Sequence, residues 1–324
     1  MFFLSLLLFM QVGGTIPYLE EPSSQTITER IFPSEKEKRN IKQISIDSII
    51  NRPGIIKIFN KSVYILDYSP FPLIKKLDLE TGQVIQKYGN GRGRGPGELI
   101  NPTDFSVTTD GKLWISDQPQ SKLAIFNAQG NHIDDWVIEF TPYKIASSNN
   151  NIAIYGFLEP IIKLVDNKQT VLWTSKSLVE NSRVWSNLIT GFLVSNDETI
   201  FKISNYSATI VGYAQNGEKL FFRKLINHTQ VPIGKPIEDR EFLSYQIDRS
   251  ELAFAVADGF ILGSEIHVLV QVYGDNPYQI FDVYSSVNGN YLYSYTLDVS
   301  LRSVAAFKNG TIIGLTPDKL MLWD

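Results

Sequence analysis

The sequence predicts an all-β fold: a six-bladed β-propeller of four-stranded antiparallel blades, closed by an N-terminal strand joining the C-terminal blade. Three observations predict it. From Ile41 onward, short apolar runs alternate with Gly, Asn, Asp and Pro punctuation, and few windows carry a helical period. Hairpin signals recur at blade-like spacing: "DLETGQVIQKY" around Gly82, "FNAQGNHIDDW" around Gly130, "LVDNKQTVLW" around Asn167, "YAQNGEKLFF" around Gly217 and "SSVNGNYLYSY" around Gly289. Gly and Asn serve there because tight hairpins need positive φ. Finally, the last unit is one strand short while the segment 41–49 is one strand in excess.

Taken in order, residues 1–19 read as a signal-peptide-like leader. The apolar run from Phe2 to Met10 suits a signal-peptide core and is too short to span a bilayer. Gly13, Gly14 and Thr15 follow as near a cleavage site, although no Lys or Arg precedes the run. Residues 20–40, "EEPSSQTITERIFPSEKEKRN", are polar and charged and read as a tether, so that loss of residues 1–38 is expected to be harmless. The propeller domain is 41–324. It divides into six units of about 47 residues, close to the usual length of a blade.

The second unit shows the pattern most plainly, with strands at 103–108, 112–116, 122–126 and 132–138. The other blades fall at 54–88, 142–174, 187–225 and 250–297, with a last, three-stranded unit at 302–323. "IKQISIDSI" alternates apolar and polar residues without a partner of its own. Placed beside 319–323, it closes the ring and removes two exposed edges. The insertion at 226–250 exceeds a normal connector. It is expected to cross one face as a lid or brace, with Phe242 or Tyr245 packed down and a short helical turn.

Composition narrows the classes. The chain has 324 residues, 43% of them hydrophobic, and a net charge of −4, so no global field draws it to nucleic acid or an anionic membrane. It has no cysteine, which excludes disulfides, thiolate catalysis and Cys-based zinc sites.

The stretch "GNGRGRGPGELINPTDFSVTTDGKLWISD" looks at first like a phosphate loop. No G-x-G-x-x-G register fits, no GK[ST] follows, and a strand comes where a helix is needed. It reads instead as the connector between two blades, its glycines allowing close passage over neighbouring backbone. Pro96, Gly97, Glu98, Asn101, Pro102, Asp110, Gly111, Asp117 and Gly130 follow one another in a pattern that resembles the NHL repeat. The whole chain is similar to the bacterial six-bladed, TolB-like propeller family. That resemblance implies a secreted or envelope protein, localised through its signal peptide, and implies no catalytic residue.

Chemistry is sparse. His132, His228 and His267 fall at different radii of the propeller and do not form a metal set; no cofactor is expected, though a bound cation such as calcium suits an acidic mouth. The connectors and the second-to-third-strand loops share one face. Those loops gather Asp67 and Tyr68, Asp117 and Gln118, Phe157 and Glu159, Asn205 and Tyr206, Tyr273 and Asp275, and Asp318, to which the connector adds Arg92 and Arg94. Turns favour Asp and Asn in any case. As a site, this ring is a polar cleft with aromatic platforms for a glycan, peptide or envelope protein. The expected function is non-enzymatic binding by a monomer with no transmembrane span. The alternative is a metal-dependent lyase or lactonase at the channel mouth, and RNA binding is disfavoured by the acidity.

Overall fold

The computed structural model describes residues 16–226 and 254–324, except 17, 37, 39, 47, 49, 72, 158, 160, 181–188 and 276. It also describes the strands of an intervening hairpin, 234–239 and 242–247. Six four-stranded antiparallel sheets stand around a central channel among these residues. The first strand, β1 (Asn40–Ser45), belongs to the last blade. Blade one is β2 (Pro53–Phe59), β3 (Ser62–Asp67), β4 (Leu73–Leu77) and β5 (Val84–Tyr88). Blade two is β6 (Pro102–Val107), β7 (Leu113–Asp117), β8 (Lys122–Phe126) and β9 (His132–Val137). Blade three is β10 (Pro142–Ser148), β11 (Asn151–Gly156), β12 (Ile162–Val165) and β13 (Val171–Thr174).

Blade four is β14 (Gly191–Ser195), β15 (Thr199–Ser204), β16 (Thr209–Ala214) and β17 (Lys219–Lys224). The insertion holds a two-stranded hairpin, β18 (Gly234–Asp239) and β19 (Phe242–Ile247), among its described residues. The expected packing of Phe242 or Tyr245 lies outside the described residues, as does His228. Blade five is β20 (Phe254–Leu262), β21 (Glu265–Val272), β22 (Tyr278–Ser285) and β23 (Tyr291–Tyr295). Blade six is β24 (Ser303–Ala306), β25 (Ile312–Leu315), β26 (Lys319–Trp323) and, outermost, β1. Gln43 faces Met321 and Ile44 faces Leu320, so the expected closure is the observed one.

The core is six interfaces rather than one centre. Six apolar clusters each join two adjacent blades: Leu66, Ile74 and Tyr88 meet Phe105 and Phe126 between blades one and two, for example, and Ile44 and Leu322 meet Ile56 and Ile65 where blade six meets blade one. Both faces of a blade are therefore buried. That is why β7 and β8 read as unbroken buried runs rather than alternating ones. Trp114 and Trp323 are fully buried in these interfaces.

The hairpin glycines have two duties. Gly130 sits at φ 81° and a Cβ there would lie 2.7 Å from the Lys87 carbonyl on blade one. Gly217, at φ 86°, abuts the Trp173 ring of blade three in the same way. A side chain would both strain the turn and hold two blades apart. Blade three lacks the glycine. Gln169 takes the left-handed conformation at φ 68°, and its amide reaches Asp134 of blade two at 2.7 Å.

The segment read as a tether is docked. Ile16 is buried with Val179 and Ile189, and Tyr18 meets Phe222 edge to face at 5.3 Å. Ser23 pairs with the outer strand of blade four, giving its N–H to Phe222 O at 2.9 Å and accepting Lys224 N–H at 2.9 Å. Gln25 bridges blades four and five, donating to Lys224 O and Gly289 O and accepting from Tyr291 N. Arg30 makes a two-pronged pair with buried Asp282 at 2.8 and 2.9 Å, and Ile31 O accepts Ser294 N–H at 2.7 Å. Residues 16–45 thus form a strap over blades four, five and six. Composition concealed this because the strap binds through backbone groups and a few polar side chains, while most of its surface stays wet.

Candidate functional site

The inner strands of all six blades line a central cavity of about 290 Å³. An inner strand has one edge with no strand beside it, so its amides need other partners. Side chains of the preceding blade supply them. Asp104 accepts Ile145 N–H at 3.0 Å, Ser106 accepts Ser147 N–H at 2.8 Å, Asp258 accepts Val304 N–H at 2.9 Å and Ser303 accepts Ile56 N–H at 3.1 Å.

Bulges shape the mouth. The register of the inner strand slips between Pro53 and Ile55, Pro102 and Asp104, Pro142 and Lys144, and Val256 and Asp258. A bulge re-aims the side chains beside it. Here, the neighbours include Asp104, Tyr143, Lys144 and Asp258, all in the cavity wall.

Hydrogen bonds decide which of these groups are free. Asp104 takes Lys57 Nζ at 2.8 Å and Phe105 N–H at 2.9 Å as well as Ile145 N–H. Asp258 takes the Ser303 hydroxyl at 2.5 Å, Val304 N–H at 2.9 Å and Gly259 N–H at 2.9 Å. Its removal from bulk water raises the carboxyl above the usual range, and those three hydrogen bonds pull the other way. By contrast Lys144 makes one bond, to Thr103 O at 2.9 Å, with its amine 5.2 Å from the Tyr143 ring. Arg302 donates to Pro53 O at 3.3 Å. Neither is in an ion pair with a described residue. Asn205 also lines the cavity, and its buried Oδ1 has no protein partner among the described residues.

The fold can now be set against known proteins. The profile of a family described as "6-bladed beta-propeller", DUF5128, matches residues 45–217. The chain belongs to this family. No curated protein matches its sequence. Among solved structures, the DUF5128 propeller is similar to a protein from Bacteroides fragilis described as exported, with 10% identity, TM-score 0.58, and coverage of 94% of this chain and 98% of that one. It is also similar to virginiamycin B lyase from Staphylococcus aureus, with 12% identity, TM-score 0.54, and coverage of 89% and 99%. The WD40 repeats of RRP9 match with 10% identity, TM-score 0.58, and coverage of 88% and 99%. At such identities, the likeness shows the fold alone.

The ring expected from the loops of the DUF5128 propeller needs correction. Asp67 is fully buried. It clamps the entering connector by accepting Arg52 N–H at 2.7 Å and Asn51 N–H at 3.3 Å, and pairs with Lys75 at 2.5 Å. Asp117 is fully buried in the same role, accepting Ile100 N–H at 2.7 Å, Asn101 N–H at 3.0 Å and the Gln120 amide at 2.5 Å. Both are engaged by the fold; each accepts two amides that a connector presents to it. Gln118 opens a single 3-10 turn, half-buried. Tyr206 packs on the Ile16–Val179–Ile189 cluster. Arg92, Arg94, Glu159, Tyr273, Asp275 and Asp318 are exposed, and Asp318 accepts the Thr316 hydroxyl at 3.2 Å.

Tyr68 stands beside the mouth without lining it. Its ring lies over Gly54, where a Cβ would approach to 2.4 Å. Burial, then the Asp104 carboxylate, pushes its phenol up to about 12. Of all the loop residues named from sequence, Asn205 alone lines the cavity. Lys144, Tyr143, Arg302 and Asp258 went unnoticed because they lie in or just before inner strands, where β-formers and charges alternate without a motif. No fixed strand position marks them: Tyr143 and Lys144 are second and third in β10, Asp258 is fifth in β20 and Arg302 precedes β24.

The glycine-rich connector is a self-braced loop. Glu98 accepts Gly95 N–H at 2.7 Å, Asp135 accepts Gly97 N–H at 3.0 Å, and the Gln120 amide reaches Gly93 O and Glu98 O. A Cβ on Gly93 would fall 2.1 Å from a Glu98 carboxylate oxygen. Its N–H groups are turned inward to protein oxygens, so it cradles no phosphate.

Proposed function

We propose that this chain is an exported, non-enzymatic ligand-binding propeller of the NHL or TolB-like type, acting as a monomer in the bacterial envelope or secreted space, with its site in the bulged mouth of the channel. One observation carries the reading: the cavity wall holds Lys144, Arg302 and Asn205 with polar atoms unspent, while its other charged groups are tied up in the fold. A buried polar atom in a fold normally has a partner, and Asn205 Oδ1 has none among the described residues, while Lys144 is half-buried and Arg302 exposed. Unspent atoms converging on one concave space are what a ligand site provides. The apolar leader supports export. Expected partners are a glycan, a peptide or an envelope protein.

The test is a binding screen of the purified chain against glycan and envelope-peptide arrays, with Lys144→Met as the channel variant. Capture of a ligand by wild type and its loss in a folded Lys144→Met supports the reading; capture unaffected by channel substitutions moves the site elsewhere. Metal analysis of the same sample tests the enzymatic alternative. A stoichiometric ion lost on channel substitution would replace binding with metal-dependent lyase or lactonase chemistry.

A further inference from the structure

We infer that the channel ligand is a sugar acid, held by its carboxylate at Lys144 and Arg302 and by a hydroxyl at Asn205; this rests on the binding reading above. Sign comes first. Three cations, Lys57, Lys144 and Arg302, and two carboxylates, Asp104 and Asp258, line the cavity, so the wall carries a surplus of positive charge.

Capacity points the same way. Carboxylates are the usual acceptors for the hydroxyls of a neutral sugar. Both are largely spent here, with three of about four lone-pair sites each taken by donors from the protein itself. What remains is mostly donors. Lys144 has spent one of its three protons, on Thr103 O, and Arg302 has given one Nη1 bond to Pro53 O. A carboxylate accepts from both, and charge-assisted bonds of this kind are roughly twice as strong as neutral ones.

The rest of the wall suits a sugar ring. Asn205 Oδ1 is a buried acceptor without a partner among the described residues, and an amide of this kind can take one hydroxyl and give to another. Tyr143 adds an aromatic ring beside the Lys144 amine, tilted against Phe157 at 5.2 Å. A cavity of about 290 Å³ is at the small end for ligand sites and matches one pyranose with its carboxylate rather than a chain.

The experiment titrates the full chain with D-glucuronate, its uncharged methyl ester and D-glucose, followed by NMR and calorimetry. Wild type, Lys144→Met, Arg302→Met and Asn205→Ala are compared, each verified as folded by its melting curve. Glucuronate should bind at least ~10-fold more tightly than the ester or glucose. Lys144→Met should weaken it at least ~10-fold at unchanged fold, and added salt should weaken it further. Equal binding of ester or glucose overturns the sugar-acid inference and leaves the binding reading intact. Glucuronate binding that neither Lys144→Met nor Arg302→Met changes also overturns it. So does failure of all three compounds; the glycan and peptide screen then decides whether the binding reading falls too.

Discussion

The two halves of the ring are fastened differently. In blades one and two, a carboxylate at the end of the second strand, Asp67 or Asp117, grips the connector that enters the same blade, 15–17 residues upstream. In blade four, the equivalent residue, facing Gly191 as Asp67 faces Pro53, is Ser204. There the connector presents a carbonyl rather than amides: Lys202 Nζ donates to Ile189 O and, at 2.6 Å, to Ser204 Oγ. Blades four and five depend further on the strap, whose contacts lie 199–266 residues away in sequence. The same junction is thus solved with opposite charge and, in the second half, with remote chain. Local clamps need little help from the rest of the molecule. Remote ones fail together.

The comparison can be broken most forcefully at the strap. Deleting residues 1–38 removes Arg30 from Asp282, and breaking a buried pair by removing one partner costs about 3–5 kcal/mol. The strap's apolar anchors and edge hydrogen bonds go with it. We expect a loss above ~5 kcal/mol in chemical denaturation, with blades four and five opening first by hydrogen exchange. Uniform exchange around the ring would contradict the division. Removing residues 1–50 takes β1 from β26 as well and should destabilise further.

Next is Asp67→Ala, which strands buried Lys75 and should cost about 3–5 kcal/mol, partly recovered by adding Lys75→Met. Asp117→Ala should cost about 2–3 kcal/mol, since two connector amides and the Gln120 amide lose their acceptor but no buried lysine is orphaned. If both cost the same, the Lys75 pair adds nothing.

The smallest effect lies in blade four, and its sign is opposite. Burial pushes the Lys202 amine down from its ordinary 10.5 to about 7. Between those values the unfolded chain binds a proton that the folded chain does not. Stability from this residue therefore rises as pH climbs from about 7 to 10.5, and the penalty is complete below 7. Lys202→Met should flatten that slope. Its net gain at pH 6, about 1 kcal/mol after the loss of two hydrogen bonds, should vanish and turn into a loss as pH climbs toward 10. A slope identical to wild type would mean that Lys202 does not carry it.

The architecture was legible because turn chemistry repeats: Gly82, Gly130, Gly217 and Gly289 mark the third hairpin of four blades, and a strand count alone demanded closure by the N-terminus. The site was not. Asp67, Asp117 and Asn205 look alike in sequence, yet backbone amides consume two and leave the third facing the cavity. Which residue meets the channel depends on a bulge, and a bulge is a matter of register between strands, invisible in either strand by itself. The strap was hidden for a related reason. A segment such as "SSQTITERI" has the composition of solvated chain, and only its partners, two hundred residues on, make Arg30 a half-buried cation paired with buried Asp282.

The strap also sets a timetable. Ser23 is made early and its partner Phe222 is made 199 residues later, which at about 5–20 residues per second is a wait of roughly 10–40 s. Over that interval, the first three blades can assemble on clamps already present, while the chain's opening segment stays unengaged. The ring cannot shut until β26 is present for β1 to pair with, so closure joins strands about 280 residues apart in sequence, the kind of long-range pairing that is slow to form.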